Sequence, residues 1–163
     1  DIELEVFSSF KLYKNPLEND RTFHELFEAL EADPRVIYRG IATNSEVREA
    51  LTRCHIFAYP CIWGETSCLS LIEAMSAGLL CVHPNNAALF ETACGITNMY
   101  HYPPEHHKEV FYRELNNVIW QWKRGNVEHL GAQKAHADRV YSWEHRVPQW
   151  ERLLSDIRDG RLL

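Results

Sequence analysis

The sequence predicts an α/β fold: a parallel sheet with helices on both faces, closed by a helical C-terminal tail. Three observations carry that expectation. Short strand-like runs rich in Val, Ile, Phe and Tyr alternate with amphipathic helical patterns along the chain. Residues 55–83 read as strand, loop, helix and strand in succession, the unit that joins parallel strands and places ligands at their carboxyl ends. The 163 residues suffice for one substantial core and are short for two. Residues 1–163 are therefore expected to form a single domain, with 106–163 as its helical tail.

Element by element, residues 2–7 alternate as a first strand and 8–17 form a loop. Phe23, Leu26, Phe27 and Leu30 fall at helical spacing, with Thr22 and Glu25 as a capping box and Asp33-Pro34 as the stop. Val36-Ile37-Tyr38 is a buried strand ending at Gly40, and a helix over 45–53 leads to a strand over 55–59. A strand over 79–83 follows the central helix, then a turn at His83-Pro84-Asn85-Asn86 in which Asn86 caps a helix over 87–93, stopped by Gly95. Residues 96–100 give a last strand and 101–107 a loop. Val110, Phe111, Leu115, Val118, Ile119 and Trp122 stripe a helix that Gly125-Asn126 breaks. A weaker helix covers 127–141. Ser142 caps a final amphipathic helix with Val147, Trp150, Leu153, Leu154 and Ile157 on one side.

The stretch 63–78 is where chemistry concentrates. Glu65 precedes a helix and Glu73 lies inside it; Thr66 or Ser67 caps the start and Gly78 follows the end. On a helical wheel Cys68, Leu71, Ile72 and Met75 gather on one side. Glu73 projects from the other among Ser67, Ser70, Ala74, Ser76 and Ala77, which leaves room beside it for a ligand. Such a carboxylate can take a hydroxyl pair, as acidic residues do with ribose in dinucleotide folds, or can be a solvated helix face. Glu65 can accept from sugar hydroxyls at the strand's end, or can simply favour the helix dipole. The free N–H groups of Thr66, Ser67, Cys68 and Leu69 suit a phosphate or a polarised hydroxyl. A nucleotide sugar combines those groups.

Composition narrows the partners. Net charge is −6 with pI near 5.8 and basic residues scattered, so neither nucleic acid nor an anionic membrane is favoured. No apolar run reaches a membrane-spanning length, and no signal peptide opens the chain. Five cysteines without a CxxC pair suit a reduced, cytoplasmic setting. Asp1 enters a strand pattern without a linker or initiator methionine, as expected of a piece of a longer protein.

Glu65, seven residues, Glu73-Ala74-Met75 and Ala77-Gly78 resemble the Glu-x7-Glu signature of retaining glycosyltransferases with two Rossmann-like domains, the GT-B architecture. Residues 36–42 resemble that family's short strand and base-contacting loop, with Gly40, Ile41 and Ala42 in the loop. His55 to Cys61 resembles the strand ending in a Pro-Ser pair, here Pro60-Cys61, and Glu91 falls where another acidic residue usually follows the next strand. The resemblance implies the C-terminal, nucleotide-sugar-binding half of such an enzyme. Glu73 would hold the donor ribose, Glu65 a donor-sugar hydroxyl, and the amides of 66–69 the sugar or its phosphate. It implies transfer of a hexose with retention, phosphate charge offset by an Arg/Lys pair rather than a required metal, and no assigned protein nucleophile. The partner would be an N-terminal acceptor-binding domain of the same protein, without which this chain is expected to be inactive. Ser67-Cys68 stand where the family has Phe-Gly, and Gly78-Leu79-Leu80 where it has Gly-Leu-Pro. The Arg/Lys pair has no match, since Lys11 and Lys14 follow the wrong strand. Another GT-B enzyme, such as a nucleotide-sugar epimerase, or a non-catalytic binding module are the alternatives.

Nine histidines form no metal motif: His106-His107 lies in a loop, and His129 and His136 sit seven apart. Trp120, Trp122, Trp143 and Trp150 are expected to pack in the core or between domains.

Overall fold

The computed structural model describes residues 2–8 and 23–161. They fall into two compact units, Asp1–Ala50 and Leu51–Leu163. In the first, β1 (Leu4–Val6) and β2 (Val36–Tyr38) pair in parallel, Leu4 opposite Val36 and Val6 opposite Tyr38. Helix α1 (His24–Ala32) packs on β2, the Phe27 and Tyr38 rings lying 5.4 Å apart. Tyr38 Oη donates to Ser8 O at 2.7 Å, and Arg39 Nε to Glu5 Oε1 at 2.8 Å. The capping position of α1 is Phe23, with no side-chain bond. Thr22, half of the expected box, lies outside the described residues, as do Lys11, Lys14 and most of the 8–17 loop. Asp33 ends α1 as expected. The Arg35 guanidinium and backbone N–H donate to its carboxylate, holding it at about 2.

A capping box does occur one helix later, at α2 (Asn44–Arg53). Glu46 N–H donates to Thr43 Oγ1 at 3.3 Å, while Glu46 Oε2 accepts from the Thr43 N–H and hydroxyl at 2.7 Å. The Thr43-Asn44-Ser45-Glu46 sequence carries that signal, and it extends the helix expected over 45–53.

The second unit is built on a three-stranded parallel sheet. Its strands are β3 (Ile56–Ala58), β4 (Leu80–Asn85) and β5 (Asn98–His101), with β4 central. Ile56 faces Leu80 and Val82 faces Asn98. Around the sheet lie α3 (Leu69–Ala77), α4 (Leu89–Ala93), α5 (His107–Lys123), α6 (Leu130–Tyr141) and α7 (Trp143–Arg158). Both faces are covered, as the α/β pattern requires. Leu80 and Val82, with Ile56 and Ala58 beside them, pack under Val110, Phe111, Leu115 and Val118 of α5. Cys81 points the other way, with Phe57 and Tyr59, against Leu71 and Met75 of α3, Leu89 of α4 and Ala137 of α6. Residues 80–84 of β4 are buried between the two helical layers, and its first three residues, Leu80, Cys81 and Val82, are the apolar run that such a strand needs.

Several boundaries differ from expectation. The strand β4 continues through His83, Pro84 and Asn85 instead of turning there, because Pro84 and Asn85 pair with Tyr100 and His101 of β5. Asn86 is not the cap of α4; that position is Ala88, and the Asn86 amide is used elsewhere. The helix expected from residue 127 starts at Leu130. Ser142 occupies the start of α7, but its hydroxyl bonds His145 Nδ1 at 2.9 Å, not a backbone N–H. Trp120, Trp122, Trp143 and Trp150 are exposed, so they are not core residues of this chain. Trp122 lies 4.3 Å from the His55 ring, and Lys123 sits over the Trp120 ring. The five cysteines are free thiols.

Candidate functional site

The loop from Tyr59 to Cys68 leaves the carboxyl end of β3 and enters α3. Its carboxylate is held from the strand. Tyr59 Oη donates to Glu65 Oε1 at 2.7 Å, and the Cys61 thiol approaches the same oxygen at 4.0 Å. Burial, with the bonds to Cys61 and Glu65, pushes the Tyr59 phenol well above its usual range, so it remains a donor at physiological pH. Tyr59 is the partner that sequence reasoning missed. An aromatic hydroxyl at a partly buried strand end needs an acceptor, but nothing in local spacing identifies one six residues on.

The loop backbone is fixed around Trp63. Its carbonyl accepts from Glu65 N–H at 3.0 Å, Asn86 Nδ2 at 3.1 Å and the Cys61 thiol at 3.6 Å. Glu65 O in turn accepts from Ala88 N–H at 3.0 Å. The side chain read as a helix cap, Asn86, thus ties the end of β4 to this loop.

The helix begins later than expected. Cys68, not Thr66 or Ser67, is its N-terminal boundary, in extended conformation and without a side-chain cap bond. The first intrahelical bond runs from Ile72 N–H to Cys68 O, and the Leu71 N–H is directed at the Cys68 sulfur, so Leu69 and Ser70 are the residues of the first turn whose N–H groups precede the ladder. Thr66, Ser67 and Leu69 are exposed, while Cys68 is buried in the core under α3. Burial raises the Cys68 thiol above its ordinary range.

Glu73 is partly exposed one turn along. The wheel placed Ala74 on its side, but Ala74 is fully buried with Leu71 and Met75. Ser76 is also taken: its hydroxyl donates to Asp138 of α6 and its carbonyl accepts from Lys134 Nζ at 2.5 Å. That hydroxyl and Lys134 hold Asp138 below the usual carboxylate range. The neighbours of Glu73 that do face outward are Leu69, Ser70 and Ala77, a strip of the helix surface. The helix closes as read, with Gly78 at φ 81°, its N–H on Met75 O at 3.1 Å and Leu79 N–H on Ala74 O at 3.1 Å.

Glu65 and Glu73 thus belong to one loop-and-helix element, with Thr66, Ser67, Cys68 and Leu69 between them. Gly40, Ile41 and Ala42 follow β2 in the first unit, with Gly40 at φ 61° and Ile41 exposed. Glu91 is exposed on α4. Among the described residues no group of three or more His, Cys, Asp or Glu is placed to hold a metal, and no helix is long and apolar enough to cross a membrane. Residues 17–132, most of the chain, match the family model described as Glycosyl transferases group 1. No curated protein matches the chain.

Proposed function

Because the chain belongs to the glycosyl transferases group 1 family, we propose that it is the donor-binding part of an enzyme moving a hexose from a nucleotide sugar to an acceptor with retention. The observation that carries this reading is the Tyr59–Glu65 bond at 2.7 Å at the carboxyl end of β3. It fixes one carboxylate oxygen, and among the described residues the other has no protein partner. A carboxylate oriented in this way accepts sugar hydroxyls without first reorganising. Glu73, four residues into a helix whose Leu69, Ser70 and Ala77 face outward, would take the ribose hydroxyls. The N–H groups of Leu69 and Ser70 would meet the diphosphate at the positive end of the α3 dipole. Cys68 does not obstruct this: its side chain lies in the core beneath the helix.

On this reading the acceptor wall lies in another domain, so the chain alone turns over no donor. The test is donor consumption by a protein carrying this chain with its acceptor-binding domain, with the anomer of the first-formed product read by proton NMR. An inverted product would remove the retaining mechanism. Transfer by the isolated chain would remove the division of labour between two domains.

A further inference from the structure

One side chain in the loop has no part in the donor-site reading. Trp63 is 75 % exposed, yet three donors converge on its carbonyl: Glu65 N–H, Asn86 Nδ2 and the Cys61 thiol. Beside it, a Cβ placed at Gly64 would lie 3.8 Å from the Ala87 methyl, so the loop rests on the segment following β4. The backbone is therefore fixed at the point where the largest side chain of the loop is left bare. Two positions on stands Glu65, itself fixed by Tyr59.

A pyranose ring offers hydroxyls around its edge and C–H patches on its faces. A carboxylate takes the first, and an indole face covers the second. The geometry points to Trp63 as the stacking platform for a pyranose ring bound beside Glu65, and thus as a residue that sets sugar specificity. This rests on the donor-site reading of Glu65. The ring has two possible sources, the donor hexose or a glycan acceptor lying against it. An immobilised backbone serves either, since the platform then loses little freedom on binding.

The chain's five tryptophans give five indole N–H signals in a nitrogen-15-labelled sample, and the Trp63 signal is the one missing from Trp63→Phe. The sample is titrated with UDP-glucose, GDP-mannose, UDP, GDP, maltotriose and cellotriose. Movement of the Trp63 signal with a nucleotide hexose but not with its nucleoside diphosphate identifies the donor ring. Movement with a trisaccharide identifies a glycan acceptor. In either case Trp63→Leu weakens that sugar about fivefold, Trp63→Phe stays within about twofold because it keeps a stacking face, and melting temperature is unchanged in both. Four results overturn the proposal: movement with UDP or GDP alone, movement of all five indoles together, equal affinity in Trp63→Leu, or no movement with any sugar. If a nucleotide hexose binds and is lost in Glu73→Ala while the Trp63 signal stays still, only this proposal falls. If nothing binds, the donor-site reading falls with it.

Discussion

Helices α3 and α7 both carry a stripe of large apolar residues, and their surroundings are opposite. In α3 the stripe is spent on the core: Leu71, Ala74 and Met75 are fully buried against β4, α4 and α6. In α7 Trp143, Val147, Trp150, Leu153, Leu154 and Ile157 are all exposed, and no residue of that helix is buried. Amphipathic periodicity says which face seeks a partner; it does not say that the partner is in the same chain. The contrast also locates rigidity. The element bearing Glu65 and Glu73 is seated on a buried core that includes Cys81, Leu89 and Ala137.

Leucine-to-alanine changes break or confirm that contrast most directly. Leu80→Ala empties a fully buried position between β4 and α5 and should cost about 2–5 kcal/mol in denaturant unfolding. A cost near zero would mean that the sheet is not the core. His83 gives a pH-dependent version. It is fully buried, its Nδ1–H donates to Pro84 O at 3.0 Å, and its Nε2 accepts from Thr97 Oγ1 at 2.7 Å. Burial holds the imidazole below its ordinary 6.5, so the unfolded chain takes up the proton first as pH falls. Its stability contribution is complete above 6.5 and declines as pH drops through that value towards the folded pKa. Urea midpoints across that range should fall in the wild type and fall less in His83→Gln. Gly78→Ala forces a side chain into left-handed backbone at the end of α3 and should cost about 1 kcal/mol. Leu154→Ala, on the bare face of α7, should change stability by no more than about 0.5 kcal/mol. A larger loss would show that α7 is covered within this chain.

Local chemistry explains which features were legible. Gly78 was readable because a helix end needs a left-handed residue, and only local sequence decides that. The parallel α/β arrangement was readable because β3, α3 and β4 follow one another with the right periods. The start of α3 was not. Thr66 and Ser67 are good capping residues, but Cys68 is the residue buried in the core beneath α3, and the helix starts after it. The Tyr59–Glu65 pairing and the use of Asn86 to hold Trp63 arise from loop shape, which no spacing rule encodes. The turn expected at His83–Asn86 failed for a related reason: pairing with β5 carries the strand on through a proline.

The central claim is that Glu65 and Glu73 form the donor site, and calorimetric titration of this chain with UDP-glucose and GDP-mannose tests it. The account predicts binding of one of them in the wild type. Glu73→Ala should abolish it for both nucleotide sugar and nucleoside diphosphate, whereas Glu65→Ala should weaken the nucleotide sugar to the level of the diphosphate alone. Wild-type affinity retained in both variants would contradict it.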